Sequence, residues 1–166
     1  MGVYEGITPE ENREFTSSLG NWTGAIAWAP GPIGGREGLI KIDVPIGPSE
    51  NKGQLSYPYA KPIKNRINNF GLYFFRPAPE PPPEIMLAIS DGIYVFERPW
   101  EFLVMDSTWV RFAFDALIPS DWTIENTVVS FTVRNNSPTD PMTTYADGAA
   151  LSVFWVVDYL PFCGVG

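Results

Sequence analysis

Runs of alternating apolar and polar residues recur along the chain at the two-residue period of half-buried strands. Residues 38–44 set Ile40, Ile42 and Val44 against Lys41 and Asp43. Residues 109–118 set Val110, Phe112, Phe114, Ala116 and Ile118 against Arg111 and Asp115. In residues 128–134, Val129, Phe131 and Val133 alternate with Ser130, Thr132 and Arg134. The last run, residues 149–160, is apolar on both faces. Leu151, Val153, Trp155, Val157 and Tyr159 line one side, and Ala150, Ser152, Phe154 and Val156 the other. A strand apolar on both faces is covered on both, so this one is expected near the centre of a sheet, under a second layer.

Weaker runs fill the intervals. Trp22, Ile26 and Trp28 alternate with Thr23, Ala25 and Ala27, residues 70–76 read as a strong strand, and residues 55–60 as a short edge piece held there by Pro58. Residues 85–90 and 93–96 flank Asp91-Gly92, a hairpin signal. Residues 47–53, the proline tract 77–83, residues 99–106 and the polar stretch 135–148 read as connections. Thr8-Pro9-Glu10-Glu11 and Ser120 mark one or two short helical turns. About eight or nine short strands with turn signals between them predict an all-β fold, an antiparallel β-sandwich of the jelly-roll kind. The expected organisation is a single domain over 1–166, with residues 1–14 an N-terminal arm and 160–166 a C-terminal tail.

Composition agrees with strands and turns: 17 Pro and 15 Gly are too many for a helical chain, and 14% aromatics suit a packed β core. The net charge of −8 disfavours a nucleic-acid partner, which needs a basic face. One cysteine, Cys163, forbids an intrachain disulfide. No signal peptide and no membrane-length apolar run are visible, so synthesis in the cytoplasm and no membrane insertion are expected. The chain has no histidine, which removes the commonest general base and every Ser/His/Asp or Cys/His arrangement. It is read as a non-enzyme.

Three segments resemble the galactose-binding-like jelly rolls, a superfamily shared by several carbohydrate-binding modules. Residues 15–22 (F-T-S-S-L-G-N-W) are similar to its opening Phe-Glu-x-Gly-x-x-x-Trp phrase, with Thr16 in the Glu position. Residues 109–119 (W-V-R-F-A-F-D-A-L-I-P) are similar to its Trp-led strand ending in Pro. Residues 152–160 (S-V-F-W-V-V-D-Y-L) resemble its closing strand, with Val157 replacing one acid of an Asp pair. The resemblance implies a structural calcium ion held by Asp158, Glu14 and carbonyls near residues 35–38. It also implies sugar stacking on exposed rings, for which Trp28 and Tyr94, then Tyr57, Tyr59 and Trp100, are the candidates; Trp22, Trp109 and Trp155 read as packing.

Two functions of different class follow. The first is a structural protein, a β-sandwich decorating a larger assembly such as a phage capsid or tail, its partners other subunits in a homo-oligomer or virion surface. The second is a free carbohydrate-binding module that takes a cell-surface or other glycan.

Overall fold

The computed structural model describes residues 4–6, 15, 17–47, 51–59, 62–77, 82–105 and 107–154. Eleven strands are described: β1 Tyr4–Gly6, β2 Thr23–Gly24, β3 Ile26–Ala29, β4 Leu39–Val44, β5 Lys52–Pro58, β6 Ile67–Phe75, β7 Glu84–Ser90, β8 Val95–Phe102, β9 Val110–Leu117, β10 Val128–Arg134 and β11 Met142–Phe154. A single 3-10 turn, Ile124–Asn126, is the helical element among the described residues. Every pairing is antiparallel.

Two sheets result. Sheet A runs β3-β4-β11-β6-β9, with β1 also paired to β11, and sheet B runs β2-β5-β10-β7-β8. The chain crosses repeatedly between them, and their inner faces form the core, as the alternating pattern predicts. Ile40, Ile42, Leu72, Phe74, Phe112 and Ala146 from sheet A meet Leu55, Ile85, Leu87, Ile89, Phe131 and Val133 from sheet B. Trp22 fixes one side of this core: its indole stacks on Tyr57 at 5.1 Å and packs near Phe131 at 6.2 Å. Its expected packing role is what the structure shows. The Asp91-Gly92 turn joins β7 to β8 as expected, with Asp91 accepting bonds from the Ile93 and Tyr94 amides at 2.9 and 2.7 Å.

Several boundaries differ from the sequence reading. The stretch 135–148 was expected as a loop, but β11 begins at Met142 and runs centrally between β4 and β6. Its first half hides as polar sequence because Thr144 and Asp147 are buried. Residues 99–106 were also expected as a connection. Instead β8 continues through Pro99 to Phe102, which an edge strand tolerates because the missing N–H breaks no ladder. β5 starts at Lys52 and lies inside its sheet, between β2 and β10, not at an edge. The helical turn expected after Pro9, the tail 160–166, and residues 155–160 of the last run lie outside the described residues.

Candidate functional site

The outer face of sheet B is a grid set by register. One row reads Lys52, Arg134, Glu84, Phe102 across β5, β10, β7 and β8. Next come Gln54, Thr132 and Met86, then Thr23, Ser56, Ser130, Ala88 and Glu97, then Pro58, Val128, Ser90 and Val95. The face therefore grades from charged and aromatic, through small and hydroxylated, to apolar. Small side chains in the middle leave a low floor between taller ends.

Trp100, half-buried on β8, stands at the charged end. Its ring lies 4.2 Å from the Arg134 guanidinium carbon and 5.8 Å from Lys52 Nζ. Arg134 donates to Glu84 at 2.9 Å, while Lys52 has no carboxylate partner among the described residues. Gln54 Nε2 reaches Thr132 Oγ1 at 3.5 Å. A flat indole beside hydroxyls, an amide and an amine can stack on the C–H face of a ring and hydrogen-bond its hydroxyls.

The five rings singled out in the sequence are not brought together. Tyr57 and Tyr59 were expected in an exposed edge piece, but both are core residues, with 5% and 2% of their surface exposed. They face inward from β5 and its end, so neither presents a ring to solvent. Burial, with Tyr57 beside it, pushes the Tyr59 phenol far above its ordinary value. Trp28 lies on β3, an edge of sheet A, and its indole N–H donates to the Phe15 carbonyl at 2.8 Å. Tyr94 projects from the β7–β8 turn, donates its hydroxyl to Asp121 and stacks over Trp122 at 6.3 Å. β3 packs toward β5, and β8 toward β9, so Trp28 and Tyr94 occupy opposite edges of the sandwich. Lys52, Arg134 and Gln54 were not anticipated. The alternation of Lys52, Gln54 and Ser56 with Gly53, Leu55 and Tyr57 was the available signal.

A cleft of about 400 Å³ opens beside Asn51, Asn135 and Asn136. Its amides are committed to backbone, Asn135 Nδ2 to the Asp140 carbonyl at 2.9 Å and Asn136 Nδ2 to that of Pro82 at 3.1 Å.

Loop 35–38, whose carbonyls belong to the expected calcium site, meets the last strand through Arg36. The β3–β4 connection folds into a small hairpin, with Ile33 and Arg36 exchanging backbone bonds at 2.9 and 3.0 Å around Gly34-Gly35. Its tip lies on the outer face of sheet A, where Gly34 accepts from Trp109 Nε1 at 2.9 Å. Gly34 has φ +57°, and a Cβ there would stand 2.6 Å from that indole nitrogen, so glycine is required. Arg36 pairs with Asp147 of β11 at 3.3 Å, its guanidinium lying 4.8 Å from the Tyr73 ring and 4.7 Å from that of Trp109. Among the described residues no group of three acidic, histidine or cysteine side chains could hold a metal. Glu14 and Asp158 lie outside the described residues.

No protein-family model matches the chain, and no curated protein sequence does. Solved structures do match. A carbohydrate-binding module of family 4 is similar over 84% of this chain and 99% of its own, with 12% identity and a TM-score of 0.60. The CBM22-1 xylan-binding domain of Paenibacillus barcinonensis Xyn10C is similar over 91% and 92%, with 12% identity and a TM-score of 0.57. An arabinose-bound GH51 α-L-arabinofuranosidase aligns over 85% of this chain at 12% identity and a TM-score of 0.61; the chain spans about a quarter of that enzyme's length (24%). At such identities the likeness carries the fold alone. The chain has the β-sandwich fold of the carbohydrate-binding modules.

Proposed function

We propose that this chain is a non-catalytic carbohydrate-binding domain that holds a saccharide chain along the outer face of sheet B. Trp100 is the stacking ring. Gln54, Ser130 and Ser56 meet the hydroxyls, and Lys52 meets an acidic substituent. One observation carries the reading: strands distant in sequence bring a half-buried indole, an amine with no carboxylate partner among the described residues and a floor of small hydroxyl side chains onto one open sheet face. The xylan-binding name of one similar structure supports a β-linked xylan-type polymer as the first ligand to try. The test is a glycan array followed by titration with xylohexaose. Trp100→Ala is expected to weaken binding at the sheet B face about 30-fold, the ~2 kcal/mol typical of truncating a tryptophan anchor. Binding unchanged in that variant, with an unchanged melt, overturns the assignment.

A second reading, the assembly subunit of a capsid or tail, is favoured by one surface. Ile93, Val95 and Val128 are 78%, 55% and 40% exposed at the apolar end of the sheet B face. Buried between copies, they would hold a homo-oligomer together. Sedimentation separates the readings: a concentration-independent monomer removes the homo-oligomer.

A further inference from the structure

The opposite face of the sandwich carries a second constellation, and the hairpin accounts for only part of it. Across sheet A, Tyr145 pairs with Phe75, Asp147 with Tyr73, Tyr73 with Arg111, and Asn69 with Asp115, all directed outward. Phe75 is covered by Trp109, stacked at 5.1 Å, and both support the hairpin tip at Gly34. Beyond the hairpin, Arg111 lies across Gly71, its Nη2 2.7 Å from where a Cβ would stand. It donates to Asn69 Oδ1 at 2.5 Å, and Asn69 Nδ2 donates to Asp115 Oδ1 at 2.7 Å. Asn69 and Asp147 are each only 8% exposed although they face outward. A merely solvated sheet face has no need to order a guanidinium, an amide and a carboxylate in one hydrogen-bonded line beside a half-buried tyrosine.

We infer that this face is a second saccharide-binding site, facing away from the first. The Tyr73 ring supplies the wall with its uncovered side, since Arg36 lies over its other face at 4.8 Å and against Trp109 at 4.7 Å. Arg111, Asn69 and Asp115 supply donors and acceptors along the same strand pair. From Asn69 to Tyr73 the line runs roughly 13 Å along β6, the span of a short oligosaccharide segment. Its charges cancel locally: Arg36 pairs with Asp147 at 3.3 Å, Lys41 with Asp43 at 3.5 Å, and Arg111 is bridged through Asn69 to Asp115. The occupant is therefore an uncharged polyhydroxyl chain, whereas the Lys52 side of the sandwich also accepts acidic substituents. A domain with ligand on both outer faces bridges two polysaccharide chains. This goes beyond the proposed function and rests on different residues.

The test compares wild type, Trp100→Ala, Trp109→Ala and Asp115→Ala. Xylohexaose is titrated by calorimetry, and soluble xylan is followed by turbidity. Two sites per wild-type chain are expected, one in Trp100→Ala and one in Trp109→Ala, with xylan cross-linked by wild type alone. Trp109 also holds the hairpin, so Asp115→Ala is the cleaner probe: it is exposed, leaves the hairpin untouched, and is expected to weaken the sheet A site about tenfold while the folded β spectrum is retained. Single-site wild-type binding that Trp109→Ala and Asp115→Ala leave intact overturns the second site while the first stands. Binding lost in those variants but kept in Trp100→Ala overturns the first while the second stands. No wild-type binding to xylohexaose, xylan or any glycan on an array overturns both.

Discussion

Replacing Arg36 tests how the β3–β4 hairpin is tied to the last strand. Arg36→Gln removes the guanidinium from Asp147, whose side chain keeps only 11% exposure, against 34% for Arg36. Breaking a fully buried pair costs about 3–5 kcal/mol, and the partial exposure of Arg36 lowers that figure through solvent screening. Contacts with the Tyr73 and Trp109 rings at 4.8 and 4.7 Å are lost as well. Together these give roughly 2–3 kcal/mol. For a chain of this size that is a fall in Tm of roughly 5–10 °C. The assay is a thermal melt of wild type, Arg36→Gln, Asp147→Asn and the double variant, each with and without a calcium chelator. A coupling of about 1–2 kcal/mol is expected between the two positions, and the Arg36 increment is expected to be the same under chelation. Additive single variants, or an increment that chelation erases, would refute an arginine-held junction.

Two further predictions concern stability. Burial pushes the Asp91 carboxyl upward, but bonds from the Thr123, Tyr94 and Ile93 amides outweigh it and hold it below the ordinary carboxylate value. Its contribution is therefore full near neutral pH and lost as pH falls through that lowered value; Asp91→Asn should melt lower at neutral pH and lose less on acidification, and parallel acid profiles contradict this. Tyr59 buries a hydroxyl with no hydrogen-bond partner among the described residues, so Tyr59→Phe should leave denaturant stability equal to wild type or about 1 kcal/mol higher, and a clear loss would show a missing partner.

The strands legible in the sequence were those whose period-two pattern pairs branched or aromatic residues with charges. β4, β9 and β10 face the way their alternation says, with Ile40, Ile42, Phe112, Val129, Phe131 and Val133 inside. β11 was misjudged at its start because a buried threonine, Thr144, and Asp147, whose arginine partner is 111 residues away, look like loop sequence. Pro58 made Tyr57 and Tyr59 look peripheral, yet it falls on the last residue of an interior strand and leaves the inward positions intact. Trp100 was identified as a candidate, but Lys52, Glu84 and Arg134 beside it were not. Their meeting depends on the β5–β10–β7 register, which no local pattern encodes.

The claim that a saccharide lies on an outer sheet face is tested most directly by following backbone amide shifts as xylohexaose is added to isotopically labelled protein. The account predicts shifts along β5, β10 and β8 at Gln54, Ser56, Ser130, Thr132 and Trp100, with a second set at Asn69, Tyr73, Arg111 and Asp115. Shifts confined to the edge positions Trp28 and Tyr94, or none at saturating sugar, would contradict it.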